Sequence, residues 1–235
     1  MEFSLLGAVV FAVVSLYVTL YWEARRGNAA ASTRNLWDVA LTAAVVGLFA
    51  GRIAAMVSDG VNPLSHPADV LIVRGGVSTG PATLAAVLTV AWIGRRELWP
   101  VMDGLAAASL AGLAGWHAGC LARDACLGTP SDLPWAMTQS NSLVTRHPVE
   151  IYAALGLALA AVALALWKMR DRPALGLPAG LALATASLVR LATEPLRPAL
   201  GDGPVEWYWT GLLSGLVVIA VQLRRTQRKP VDTAE

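Results

Sequence analysis

Residues 148–167 read PVEIYAALGLALAAVALALW, twenty positions with a single charged side chain, Glu150. That is the length of apolar helix needed to cross a bilayer's hydrocarbon core, roughly 20 residues. Working outward, six further stretches have the same character: Phe3–Trp22, Leu36–Val57, Gly80–Ile93, Trp99–Ala122, Leu175–Thr193 and Val205–Leu223. Gly80–Ile93 is short, with Val70–Val73 and Gly75–Thr79 leading into it. The expected fold is all-α, a polytopic membrane protein of seven transmembrane helices. Composition agrees. Hydrophobic residues make up 56 % of 235 positions and charged residues 14 %, against about 25 % charged in an ordinary soluble domain. Mean hydropathy is +0.56. A net charge of +2 is too small to argue for a nucleic-acid partner.

Orientation follows from the basic residues, which concentrate in cytoplasmic loops. Arg25, Arg26 and Arg34 follow the first segment, Arg95 and Arg96 the third, and Lys168, Arg170 and Arg172 the fifth; Arg224, Arg225, Arg228 and Lys229 lie in the tail. The opposite loops hold Arg74, Arg123, Arg146 and Arg197. This alternation predicts an outer N-terminus and a cytoplasmic C-terminus, with residues 1–223 as one membrane domain and 224–235 as a basic cytoplasmic tail. Glu2 stands where a signal peptide would be basic, and no small-residue cleavage site follows. The Ser/Thr/Asn/Pro-rich loop Arg123–His147 is expected on the outer surface. Cys120 and Cys126 make no disulfide framework. Two free thiols or one bridge on an oxidising side are both open to them.

Ionisable residues within spans are costly, face the bundle interior and mark functional sites. On this topology Arg52, His117 and Arg190 sit near outer helix ends. Glu150 and Tyr152 open the fifth helix there, and Gly75–Gly80 the third. The bland alternatives are a snorkelling Arg52, a structural His117, and a plain turn at Gly75-Gly76. Asp38 and Asp103 lie at cytoplasmic ends, where a helix N-terminal dipole accounts for them. His66, His117 and His147 fall in separate segments, so no metal site is expected. Arg190 and Glu194 lie four apart on one helix face, with Arg197 a turn later. An ion pair would explain them, yet the planar fork of arginine suits a phosphate, and this is phospholipid-headgroup depth.

These elements, in this order, resemble the bacterial prolipoprotein diacylglyceryl transferase family across nearly the whole chain. Gly51-Arg52-Ile53 resembles its GGR-hydrophobic stretch, and Gly75-Gly76-Val77-Ser78 its GG-x-S segment. Gly119-Cys120, Cys126, Gly128 and Pro130-Ser131-Asp132-Leu133-Pro134-Trp135 resemble a family loop. Arg146-His147-Pro148 with Tyr152 resembles RHP-x-x-x-Y-E, and Arg190…Glu194…Arg197 resembles R-x-x-x-E-x-x-R. There are departures. Gly80 stands where the family writes the histidine of HGG, His117 at the arginine of GR-x-G, and Ala153 at the glutamate after the RHP tyrosine.

The resemblance implies transfer of the diacylglyceryl group of phosphatidylglycerol to the lipobox cysteine of a lipoprotein precursor in the bacterial cytoplasmic (inner) membrane. It implies Arg190 and His117 as catalytic residues, and Arg52, Gly75, Gly76, Ser78, Arg146, Tyr152, Glu194 and Arg197 as substrate-binding, with no metal or organic cofactor. An alternative reading is an altered member that binds phospholipid or precursor without turnover. A transporter ranks third, since the polar groups gather at one face rather than at the midplane.

Overall fold

A computed structural model of the chain describes residues 3–26, 32–65, 67–71, 77–123, 126–139, 142–198 and 205–227. All seven apolar stretches are helical. In chain order the helices are α1 (Phe3–Arg25), α2 (Leu36–Ser58), α3 (Pro67–Leu71), α4 (Thr79–Ile93), α5 (Leu98–Ala118), α6 (Val149–Asp171), α7 (Leu177–Thr193) and α8 (Val205–Gln227). Five of them, α1, α2, α5, α6 and α8, are long and apolar enough to cross a membrane. This is a multi-pass membrane protein. At about 1.5 Å per residue, the 15 residues of α4 and the 17 of α7 reach roughly 22–26 Å, less than the ~30 Å hydrocarbon core. A 3-10 turn, Glu194–Leu196, carries the chain on from α7. Helix α4 begins at Thr79, with Ser78 as its N-cap.

The chain divides into two compact units, residues 32–102 and the remainder, 1–31 with 103–235. The larger unit packs on small residues. Ala106, Ala107, Leu110 and Ala114 of α5 meet Leu157, Ala161, Leu164 and Ala165 of α6, and Ala182 of α7. Small side chains let backbones approach where hydrocarbon solvent offers no hydrophobic drive between helices. At Gly215 of α8 a Cβ would lie 2.7 Å from the carbonyl of Gly180 and the amide of Ala184 in α7, so no larger residue fits. The outer faces are apolar and uncovered: α8 buries only Gly215 and Gln222 among its described residues. In the smaller unit α4 seats against α2, where a Cβ on Gly51 would come within 2.7 Å of Ala82 Cβ and Val77 Cγ1.

Two charged residues sit otherwise than the sequence suggests. Asp103 does not serve the N-terminus of its own helix. Its carboxylate accepts hydrogen bonds from the amides of Gly176 (2.6 Å) and Ala179 (2.9 Å), capping α7 from across the unit. Lys168 is not a loop residue. It lies within α6, buried, and pairs with the buried Glu23 of α1 at 2.8 Å. Helix α6 runs through Asp171 and stops at Arg172, whose φ of 44° is left-handed.

After α5 a 3-10 turn, Gly119–Arg123, leads into the loop. Here Cys120 and Cys126, both buried, are joined as a disulfide. The loop beyond it carries a two-stranded antiparallel pair, β1 (Met137–Thr138) and β2 (Thr145–Arg146). Backbone bonds knit it inward: Gly128 N–H to His147 O at 2.7 Å, His147 N–H to Thr129 O at 3.0 Å, and Thr129 N–H to Leu196 O at 2.8 Å. This lacing sets the start of α6 beside the end of α7.

Candidate functional site

Three helix ends and a following turn bring the candidate side chains together within the larger unit. His117 lies in the last turn of α5, Glu150 in the first turn of α6, Arg190 near the end of α7, and Glu194 at its C-cap with Arg197 one turn beyond. Glu150 is the hub. Its Oε2 is 2.5 Å from His117 Nδ1 and 3.9 Å from Arg190 Nη1, while its Oε1 is 2.8 Å from Arg197 Nη2. Glu194 Oε2 lies 3.6 Å from both Arg190 Nη2 and Arg197 Nη1. From the other side the hydroxyl of Tyr208, in α8, accepts from Arg190 Nε at 3.3 Å and Nη2 at 3.1 Å. The guanidinium also lies over the Tyr208 ring, 5.3 Å from its centroid.

The guanidinium of Arg190 is thus held by one edge. Nη1, buried, makes no hydrogen bond with any described residue, and neither does Glu194 Oε2. A buried N–H of this kind costs on the order of 1–3 kcal/mol when left unmade, more for a charged group. The charge of Arg190 Nη1 faces Glu150 Oε2 at 3.9 Å. Arg197 is 37 % exposed at its side chain, so the cluster runs from a buried donor to an accessible one. Two carboxylates balance two guanidiniums, and the protonation state of His117 sets the remaining charge.

Arg146, in β2, precedes Glu150, and Tyr152 follows it in α6. Arg146 Nη1 donates to the Gly128 carbonyl at 3.1 Å. The Tyr152 hydroxyl accepts from Trp135 Nε1 at 2.7 Å and lies 3.5 Å from His147 Nδ1. In the smaller unit Arg52 is buried and does not snorkel. Its Nε donates to the carbonyl of Asp69 in α3 at 3.1 Å. Ser78 is the N-cap of α4, without a side-chain capping bond, and its amide donates to Gly51 O at 3.0 Å. Gly75 and Gly76 lie outside the described residues. Among the described residues no three His, Cys, Asp or Glu side chains group as metal ligands.

The sequence profile of the prolipoprotein diacylglyceryl transferase family matches residues 3–230. This chain belongs to the prolipoprotein diacylglyceryl transferase family. Among similar proteins, all named phosphatidylglycerol–prolipoprotein diacylglyceryl transferase, that of Bordetella avium is 30 % identical over 186 residues, 71 % of this chain and 69 % of the relative. That of a Wolbachia from Drosophila simulans is 29 % identical over 234 residues, 89 % of this chain and 88 % of the relative. One from Pseudomonas aeruginosa is 28 % identical over 173 residues, 67 % of this chain and 64 % of the relative.

One of the chain's departures from the family pattern, His117, pairs with Glu150. Ala153, in place of the glutamate after the RHP tyrosine, is fully buried. Glu150 lies three residues earlier, one turn back on the same helix face. Its partner is His117, the residue standing at the family's arginine position. A carboxylate and an imidazole therefore face each other between α6 and α5. Sequence reading placed Glu150 at the helix start without making it the centre. The available signal was its being the only acid in an apolar span. Tyr208 carried no signal at all, because its role depends on α8 packing on α7.

Proposed function

We propose that the chain transfers the diacylglyceryl group of phosphatidylglycerol to the lipobox cysteine of a prolipoprotein in the bacterial cytoplasmic membrane, using the cluster around Glu150. Family membership and the relatives' names supply the reaction. The observation that supports this location is Arg190, a buried guanidinium with a donor still unspent and its other edge fixed by Tyr208.

The precursor's thiol loses its proton to His117 Nε2 while Nδ1 donates to Glu150. The thiolate attacks the glycerol carbon bearing the phosphodiester. A C–S thioether forms, the C–O bond breaks, and glycerol phosphate leaves with the bonding pair. Arg190 and Arg197 take the charge growing on the leaving phosphate, a stabilisation that acts most strongly in the transition state. Proton transfer and charge balance cooperate. Once His117 is an imidazolium it satisfies Glu150, and the arginines that Glu150 held are free to serve the phosphate. Glu194 keeps both guanidiniums oriented, and Arg146 and Tyr152 assist in binding the substrates.

The cluster lies on the outer side, with the N-terminus outside and the C-terminus cytoplasmic. The alternating basic loops support this. So does the disulfide that begins three residues after His117, since such bonds persist in oxidising compartments.

The test is transfer from phosphatidylglycerol to a lipobox peptide by purified protein, with folding checked by thermal melting. Arg190→Lys keeps the charge and loses the fork, so activity falls. Arg190→Ala removes about two charge-assisted hydrogen bonds, each worth roughly 1.5–3 kcal/mol, and activity falls about a hundredfold or more. Wild-type transfer and lipid binding by a folded Arg190→Ala variant would make the arginine structural and sink the mechanism.

A further inference from the structure

We infer that the recess between Arg34, Trp92, Ile93, Arg95 and Arg96 is a second binding site, for a phosphate-bearing anion. The recess is open and holds about 360 Å³. It belongs to the smaller unit, where α4 ends at Ile93 and the turn Gly94-Arg95-Arg96-Glu97 leads into α5. None of its three arginines forms an ion pair with a described residue. Three guanidiniums around one hollow repel each other, and an anion between them would relieve that repulsion.

The neighbouring carboxylate shows how the gathering is enforced. Glu97 could have neutralised the arginines, and instead its oxygens are spent on the chain that carries Arg34. Glu97 Oε1 accepts from Thr33 Oγ1 at 2.6 Å; Oε2 accepts from the Thr33 amide at 2.8 Å and from Ser32 Oγ at 3.2 Å. The Thr33 hydroxyl and amide hold the Glu97 carboxyl below the usual carboxylate range, with Ser32 and the charge of Arg34 adding to the effect. The clamp fixes residues 32–34 against the 94–97 turn, with Glu97 acting on Arg34 at a distance and bridged to none of the three guanidiniums.

The apolar wall points to a ligand with both a phosphate and a tail. Trp92 is 71 % exposed, and the Arg95 guanidinium stacks on its ring, 4.9 Å from the centroid. Stacking pre-orients the planar fork of donors that matches phosphate oxygens. Exposed tryptophan at a span end sits at headgroup depth. Above it, Leu88 and Leu84 of α4 are also exposed, giving acyl chains a continuous apolar track. The recess lies at the opposite end of α4 from Ser78, about 22 Å along the axis; on the proposed topology this is the cytoplasmic end. An anionic phospholipid headgroup and free phosphate share the chemistry that these arginines recognise, and basic recesses on this side of membrane proteins suit such headgroups.

The test uses full-length protein, delipidated and back-titrated in detergent, with bound molecules counted by native mass spectrometry. Arg190→Ala serves as parent, so that the outer cluster does not mask the count, and is compared with Arg190→Ala carrying Arg95→Gln and Arg96→Gln. The probes are phosphatidylglycerol, zwitterionic phosphatidylcholine and inorganic phosphate. The expected result is one phosphatidylglycerol bound by the parent, preferred over phosphatidylcholine and weakened about tenfold or more by the double glutamine change. Inorganic phosphate that binds the parent as tightly as the lipid does, and is lost in the same variant, assigns the site to free phosphate. Equal binding of phosphatidylglycerol and of phosphate by parent and variant overturns the proposal. Should the glutamine variant melt early, Arg95→Lys with Arg96→Lys replaces it. Loss of the stacked fork then predicts weaker binding, and unchanged binding refutes the site.

Discussion

Glu150→Gln is the most informative single change, because it removes one negative charge and almost no volume from the centre of the cluster. Two contacts decide its size. The bond to His117 is buried on both sides, and a hydrogen bond to a charged group contributes about 1.5–3 kcal/mol. The pair with Arg197 is short at 2.8 Å, but Arg197 is 37 % exposed, and solvent screening reduces such pairs to about 0–1 kcal/mol. Together they come to about 2–4 kcal/mol, on the order of a hundredfold in rate. The split between constants is informative. The amide can still position Arg197, but it cannot stabilise an imidazolium at His117, so kcat should fall further than KM rises. The assay is transfer from phosphatidylglycerol to a lipobox peptide across a range of peptide concentrations, on protein shown by thermal melting to be folded. A glutamine variant with kcat within about threefold of wild type would refute the coupling of proton transfer to the arginines.

Three other outcomes are expected. Asp103→Ala removes both side-chain acceptors from the start of α7 and should cost about 3–5 kcal/mol of stability; a melting temperature in detergent within a degree of wild type would rule out this cap from α5. Replacing Cys120 and Cys126 together by serine opens a loop of sequence separation 6, with a loss of about 2 kcal/mol on the chain-entropy account. Transfer should persist, because the backbone bonds lacing residues 126–131 to 145–150 remain, and abolished transfer in a folded variant would instead make one thiol a participant. For topology, a cysteine introduced at Ser131 should react with an impermeant maleimide in intact cells and one at Thr226 should not; the reverse pattern would move the cluster to the other leaflet.

What the residues alone determined is what hydrocarbon imposes on any chain. A span of about 20 apolar residues has one economical solution, a helix with its backbone bonds closed internally, so the seven stretches were legible with their ends displaced by a few residues. Arg190, Glu194 and Arg197 were legible for a related reason: their spacing places them together by helix geometry, whatever surrounds them. Pairings between distant helices were not. His117 and Glu150 are 33 residues apart, Asp103 and Gly176 73, and Lys168 and Glu23 145. No local propensity encodes them. Each depends on which face a helix turns inward and how far it slides along its neighbour, and packing between helices decides that, here through small residues such as Gly215, where a Cβ would collide with α7. Read as sequence, Glu150 is one acid at a helix start and Tyr208 an ordinary aromatic near an interface. They become the hub and the brace of the cluster only when α5, α6, α7 and α8 are assembled, because a buried charge must find its partner in space rather than along the chain.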